Sequence, residues 1–346
     1  MAIFNKKDFI LCDVPVPHGY PQSQTHAGIS FYNGVYYLVT SPYPSIKRNI
    51  IFAYLREALR RLTFDHCFKR INGEEFENPM LYFGAEENNN PPHIFSPYSN
   101  NPLMQTPDKL YGLPSYCSDP DIFIKDGKIC ILNREVIRIS YNDDGKTYKS
   151  LIRLFVIMGH IELKNNFILD SISKIIDTHE LITSPCLIFF NNKYRLIYLI
   201  SSSYNDGKDC EKIIIRKADS IKGPFIEKCE IKLISKSYQP WHISVFQYKS
   251  NMYAIVACIK NGQKQRCYQM LGKFNNNMDT LRIYQTPLID IPSYRGSAFV
   301  RPDGMFVLYS TTVKYKMKGS NSVDGRDIIM MATPFEKLEQ ELAANE

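Results

Sequence analysis

Asp119-Pro-Asp-Ile-Phe-Ile-Lys-Asp-Gly-Lys-Ile-Cys-Ile-Leu132 opens on a polar, rigid tripeptide, runs through apolar residues, turns at Asp126-Gly127 and returns as a β-branched run. Asp-Gly between two such runs marks a hairpin, because both central residues of a tight type I′ turn need positive φ. Four further stretches share the plan: His26 to Thr40, Ser184 to Leu199, His242 to Val256 and Gly296 to Tyr309. Their turns fall at Asn33-Gly34, Asn191-Asn192, Ser250-Asn251 and Asp303-Gly304, the third of these being the weakest match. Short apolar runs at Glu77 to Phe83, Leu151 to Met158, Ile213 to Lys217, Arg266 to Leu271 and Ile328 to Met331 supply later strands. The spacing gives each hairpin room for one four-stranded unit, the pattern of a propeller blade. Parallel strands would need crossover helices between them, and few helical windows exist. Phe335 to Ala344 reads as a short helix or a tail after the last strand. Residues 48–70, with Leu55, Leu59 and Leu62 at helical spacing among arginines, read as a helical insertion in the first blade. The fold expected is all-β, one five-bladed β-propeller domain over residues 1–346.

The bulk numbers exclude several classes. A 44% hydrophobic and 22% charged chain has ordinary globular composition, and no run of 18 apolar residues is present to span a bilayer. The net charge of +7 is spread along the chain without a zinc-finger or single-strand-binding pattern, so no nucleic-acid partner is expected. Nine cysteines, an odd number without a CxxC pair, read as reduced buried thiols rather than as a disulfide framework or a metal knuckle. The first residues, Met1 to Asp8, carry charge but no following apolar stretch. That pattern fits a cytoplasmic protein, or one exported without a visible signal peptide. No oligomeric state follows from the pattern.

In a propeller the first residues of the innermost strands gather around one mouth of the axis. Here they bring together His26, Asp119, Ser184, His242 and Arg295, and the strand opened by Glu77-Asn78-Pro79 adds a carboxylate. Polar groups at the heads of apolar strands are costly to bury unpaired and suit a solvent-filled pocket. Each also has a plainer reading. His26 and His242 serve as hydrogen-bonded structural residues, Asp119-Pro120-Asp121 as a capped turn, and Arg295 as the ion-pair partner of Asp119. Trp241, the single tryptophan, either packs between blades or offers a platform to a sugar ring. Hard divalent cations favour carboxylate and water ligands, but nothing in the spacing demands one, so neither metal nor cofactor is expected.

With these residues in view, the chain resembles the five-bladed propeller glycoside hydrolases of the arabinanase and xylosidase clan over nearly its whole length. The resemblance rests on Ser118 to Phe123 with Asp126-Gly127-Lys128, on Gly223-Pro224-Phe225 after Ala218-Asp219-Ser220, and on Tyr294-Arg295-Gly296-Ser297. A narrower similarity, to uncharacterised bacterial and prophage propeller proteins, rests on His26, Ser41 to Pro44, Glu77 to Pro79, Ser118 to Asp121 and Trp241-His242. Together the two resemblances imply the propeller, and the resemblance to the hydrolase clan implies a carbohydrate ligand. The clan places a base Asp, an orienting Asp and an acid Glu at the starts of its first three blades. Only Asp119 carries over, since His26 and Ser184 stand at the other two starts.

Three functions remain open. The first is a glycoside hydrolase acting on an oligo- or polysaccharide in the axial cleft. Glu77 is then the general acid, Asp119 or Asp121 the base or orienting group, and His26, Ser184, Trp241, His242 and Arg295 bind substrate. Inversion needs about 6.5 to 9.5 Å between the two carboxyl groups and retention about 5 to 5.5 Å. The second is a non-catalytic glycan-binding or structural propeller, and the third a sugar transferase or phosphorylase.

Overall fold

The computed structural model describes residues 2–17, 23–43, 77–105, 109–110, 113–142, 148–162, 166–201, 210–261, 267–289, 291–315 and 323–345. The expected insertion at 48–70 lies outside them. The described chain is essentially all-β, ending in a helix at Phe335–Ala344.

The hairpins form because their turn residues accept a left-handed backbone. Asn33-Gly34, Asp126-Gly127 and Asn191-Asn192 all have positive φ at both positions. The fourth hairpin turns one residue earlier than its sequence suggests. Lys249 takes the positive φ of 53°, and Asn251 already begins the returning strand.

Each hairpin extends into an antiparallel group. The innermost strands are Ser23–Tyr32, Tyr116–Lys125, Ile182–Phe190, Tyr238–Tyr248 and Ser293–Val300. Each of these packs beside the next, and the last packs beside the first, so the groups close into a ring of propeller-like blades. Backbone pairing also stitches neighbouring blades. Lys232 to Ile234 pair in parallel with Thr280 to Arg282, and Cys267 bridges to Ser293.

Alternation along the second strand of each hairpin sends successive side chains to opposite faces, and so to opposite neighbouring blades. Tyr36 and Leu38 pack with Tyr309 and Ile328 of the last blade, whereas Tyr37 and Val39 pack with Ile129 and Ile131 of the second. Cys130 and Leu132 meet Leu187 and Tyr198 at the next interface, and Ile197 and Leu199 meet Ile243 and Val256 at the one after. Tyr253 and Ile255 meet Phe306 and Leu308, and the terminal helix covers that wedge with Phe335, Leu338 and Leu342. The apolar core thus lies between blades, leaving the axis to polar side chains.

The last blade takes its outer strand from the start of the chain, where Ile10 and Leu11 pair with Met330 and Ile329. Phe4 anchors this segment: its amide donates to the Leu288 carbonyl at 2.7 Å, and its ring is buried with Phe306 and Phe335. Phe4→Ala is expected to destabilise the fold by about 3 kcal/mol, the low end for a buried phenylalanine. Urea unfolding measures this, and an unchanged midpoint would show that the N-terminal segment does not hold the ring shut.

Candidate active site

Every innermost strand gains one extra residue at its head. The register slips between Thr25 and Gly28, Ser118 and Asp121, Thr183 and Cys186, Pro240 and His242, and Ser293 and Gly296. Such bulges re-aim side chains, and here all lie at the same level of the ring. In the first three blades the bulged residue is left-handed although it is not glycine: His26 at φ 58°, Asp119 at 53° and Ser184 at 48°. Asn, Asp and His tolerate this region best, but each such residue still costs of order 1 kcal/mol or more. The strain therefore falls on the residues that converge.

Asp119 is the centre of the site. Its Oδ2 accepts the Ser184 amide at 2.9 Å and pairs with Arg134 at 3.0 Å. Its Oδ1 faces His26 Nε2 at 3.1 Å and His242 Nδ1 at 3.7 Å. Neither approach has hydrogen-bond direction: Asp119 Oδ1 and all four ring nitrogens of His26 and His242 are buried without a hydrogen-bond partner. Glu77 lies on the other side of His26, with its Oε2 3.5 Å from Nδ1 and accepting the Ser118 hydroxyl at 2.6 Å. Tyr294 packs its ring against both imidazoles, at centroid distances of 5.2 Å to His26 and 4.3 Å to His242, and Trp241 meets His242 edge-on. A cavity of about 110 Å³ opens among Glu77, Asp119, Arg134, Trp241, His242 and Tyr294.

Burial sets the charge states. It holds both histidines below the usual imidazole range, against the pull of Asp119, with His242 near 3. Burial alone would raise the Asp119 carboxyl, but Arg134 and then the histidines and Arg295 outweigh it and hold the group anionic. Asp121 goes the other way: burial lifts it to about 6, against Arg295 at 3.1 Å.

Of the residues expected from sequence, Glu77, Asp119, Trp241 and His242 line the cavity, with His26 against Asp119 and Glu77. Asp121, Ser184 and Arg295 do not line it. Asp121 is locked by Arg295 and Ser244, Arg295 also donates to the Pro185 carbonyl, and the Ser184 hydroxyl bridges the Ile243 backbone. These are struts between blades. The plainer sequence reading paired Arg295 with Asp119, but its partner is Asp121, and Arg134 takes Asp119. Sequence reading missed Arg134, Ser118 and Tyr294 as site residues. The Asn133-Arg134-Glu135 run inside an otherwise apolar strand was the available signal for the first.

The spacing required no metal, yet the folded chain assembles a donor set. One ligand atom from each of His26, Asp119 and His242 lies within 4.8 Å of the others. Two neutral imidazoles and one carboxylate are ligands that suit a divalent transition ion.

No family model matches the chain, and no curated protein does. Solved structures do. An N-acetylgalactosamine deacetylase from F. plautii, in complex with blood group B trisaccharide, superposes with a TM-score of 0.62 at 12% identity, covering 93% of each chain. A xylan β-1,4-xylosidase from Bacillus halodurans C-125 gives 0.63 at 12% identity, with 91% of this chain spanning 54% of that one. A β-xylosidase/α-arabinofuranosidase from a compost microbial metagenome, with xylotriose and in a calcium-free form, gives 0.55 at 12% identity over 92% of both chains. At these identities the likeness shows the fold, that of the five-bladed propeller glycosidases and deacetylases.

The depressed histidines make stability pH-dependent. A histidine whose folded pKa lies below its unfolded value contributes stability that is present above about 6.5 and lost as pH falls toward the folded value. Asp121, raised to about 6, opposes this, because its contribution is complete below the unfolded value near 3.8 and lost as pH rises through 6. Melting temperatures from pH 7 to 4 should therefore fall less steeply for His242→Gln than for the native chain. Parallel curves would mean that His242 is not held neutral.

Proposed function

We propose that this protein is a five-bladed propeller hydrolase of carbohydrates that removes an acyl group from a sugar, with His26, Asp119 and His242 holding a divalent cation. The carrying observation is the cluster of buried nitrogens and one carboxylate oxygen that approach each other yet make no hydrogen bonds. Leaving such atoms unsatisfied costs roughly 1–3 kcal/mol each, and a shared cation would satisfy the face they present to one another. The donor set fits zinc, manganese or cobalt better than calcium or magnesium, which prefer oxygen ligands throughout.

The glycosidase reading is less well supported by the carboxylates. A glycosidase needs two of them flanking the scissile bond, one able to hold a proton. Asp119 is kept anionic by Arg134, and Asp121, whose pKa near 6 would suit an acid, is tied to Arg295 outside the cavity lining. Glu77 is left as the one carboxylate of the three that faces the cavity without belonging to the histidine and Asp119 donor set. One base beside a cation is the equipment of amide or ester hydrolysis. The similarity to an N-acetylgalactosamine deacetylase over 93% of both chains supports the same class.

When bound, the cation supplies a water of lowered pKa and polarises the acyl carbonyl. Glu77, oriented by the Ser118 hydroxyl, takes the proton of the attacking water. It then delivers that proton to the departing nitrogen or oxygen as the acyl bond breaks. Arg134 fixes Asp119 and keeps it ionised. Trp241 offers its ring at the cavity wall to the apolar face of the sugar.

Acetate release from N- and O-acetylated sugars, measured beside reducing-sugar release from aryl and oligomeric glycosides, tests this. Acetate should appear, cease with a chelator and return with zinc, manganese or cobalt. Glu77→Gln should keep the melting temperature and lower turnover by roughly a hundredfold to ten-thousandfold. Reducing sugar without acetate, insensitive to chelation, would replace this reading with a glycosidase. Sugar binding without either product would leave a lectin-like propeller.

A further inference from the structure

Thr183 stands directly before the bulged Ser184 and lines the axial cavity, 4% exposed, yet its hydroxyl makes no hydrogen bond. The Ser184 hydroxyl, one residue on, is engaged at both ends by the Ile243 backbone, so the orphan is particular to the residue that faces the cavity. A buried hydroxyl without a partner is a standing cost of folding, and valine, which has the same shape, would avoid it. What the oxygen can do is meet a polar group that enters the cavity.

At about 110 Å³ the cavity falls well short of the roughly 300 to 1,000 Å³ of sites that enclose a ligand. It admits the reacting group of a sugar, and the rest must lie across its mouth. Thr183 marks one side of that mouth. The carbonyl of its neighbour Ile182 accepts from Arg134, and the Ile182 side chain belongs to the same buried cluster as Tyr116. Thr183, Arg134 and Tyr116 therefore form one wall where the second blade meets the third.

Above that wall the second blade is taller than its innermost strand. The Tyr116–Val136 pair is the last that strand makes, but Ile137 to Tyr141 run on beside Tyr148 to Leu151. Arg138 follows Val136 on the same face. Its guanidinium carbon lies 5.1 Å from the Tyr116 ring centroid and 4.6 Å from that of Tyr148, whose ring packs against Tyr141 at 4.8 Å. A row of planar groups thus begins on a cavity-lining ring and continues outward. Wedge tyrosines such as Tyr198 are fully covered, whereas Arg138, Tyr141 and Tyr148 are only half-buried. Flat aromatic faces with N–H donors between them suit a sugar ring, which has an apolar face and a rim of hydroxyls.

We propose that the ligand is an oligosaccharide, with the reacting sugar across the cavity mouth against Thr183 and the next sugar laid on the Arg138 and Tyr148 wall of the second blade. The proposal rests on the axial cavity being the sugar site, and it asks nothing of the cation or of the acyl chemistry.

Calorimetric titration of the full chain with N-acetylglucosamine, xylose and galactose, each beside its own disaccharide, provides the test. At least one disaccharide should bind about tenfold more tightly than its monomer, as expected from covering a further apolar face. Tyr148→Ala should remove that advantage and leave the affinity for the monomer unchanged. Tyr148→Phe, which keeps the ring, should retain it and guards against a loss of fold in the first variant. Thr183→Val should weaken monomer and dimer alike by about threefold to tenfold while the melting temperature stays equal or rises, whereas a merely structural threonine would lower the melting temperature and spare binding. Equal affinities within every pair, an advantage that survives Tyr148→Ala, equal loss of both sugars in that variant, or binding untouched by Thr183→Val would each overturn the assignment. So would the absence of saturable disaccharide binding at about 10 mM. Acetate released equally well from acetylated monosaccharides and disaccharides would sink the outer site and leave the hydrolase reading standing, and disaccharide preference without acetate release would do the reverse.

Discussion

Asp119 divides its two oxygens between structure and chemistry, and the site is built on that division. One oxygen is spent on the Ser184 amide and Arg134, which itself reaches the Ile182 carbonyl, so this half of the carboxylate binds the second blade to the third. The other oxygen is turned toward His26 of the first blade and His242 of the fourth. A single side chain thus touches residues from four blades, and it reaches them only because the bulge puts its backbone in a left-handed conformation. Without the bulge, the strict alternation of a strand would aim this carboxylate along a wedge between blades, where apolar packing leaves no place for it.

The polar axis and the apolar wedges are two consequences of one geometry. Blades that radiate from an axis are closest at their innermost strands, where there is room for few large side chains, and separate outward, where aromatic and branched residues fill the gaps. Tyr36, Tyr82, Tyr198, Tyr253 and Tyr309 are all essentially inaccessible, and several direct their hydroxyls to a carbonyl or carboxylate at the rim of a wedge. Near the axis the polar residues brace one another. Arg295 links Asp121 to the Pro185 carbonyl, and Ser244 links Asp121 to Ser297.

The repeat was legible because its turns obey a backbone rule that any reader of Asn-Gly and Asp-Gly can apply, and because the strands alternate. The terminal segment was legible as a helix or a tail, and it forms the helix Phe335–Ala344. The convergence of His26, Glu77, Asp119, Trp241 and His242 followed from their places at strand heads. What sequence could not supply was the side to which each of two adjacent polar residues points, since one extra residue in a strand reverses the alternation. Tyr294 and Arg295 are neighbours, yet the tyrosine lines the cavity and the arginine braces the blades. Asp119 and Asp121 part in the same way. The donor set of His26, Asp119 and His242 has no local spacing to detect, and Arg134 reaches the axis from a second strand that the reading of strand heads does not cover.

The pairing of Ile10 and Leu11 with the strand Val323–Pro334 has a consequence for biosynthesis. Blades built from consecutive hairpins can form one after another as a nascent chain leaves the ribosome, but the strand that completes the last blade is made first and must wait for residue 334 to emerge. Until then the first and last blades each expose a wedge face, the one carrying Tyr36 and Leu38 and the one carrying Val307 and Tyr309, and the chain is a sticky open arc. Arg326 and Tyr294 meet Thr25 and Tyr43 only when that arc shuts, so the axial site is completed in the same late event that hides the last apolar surface. During translation, then, chaperones would have most to protect just before the protein acquires its chemistry.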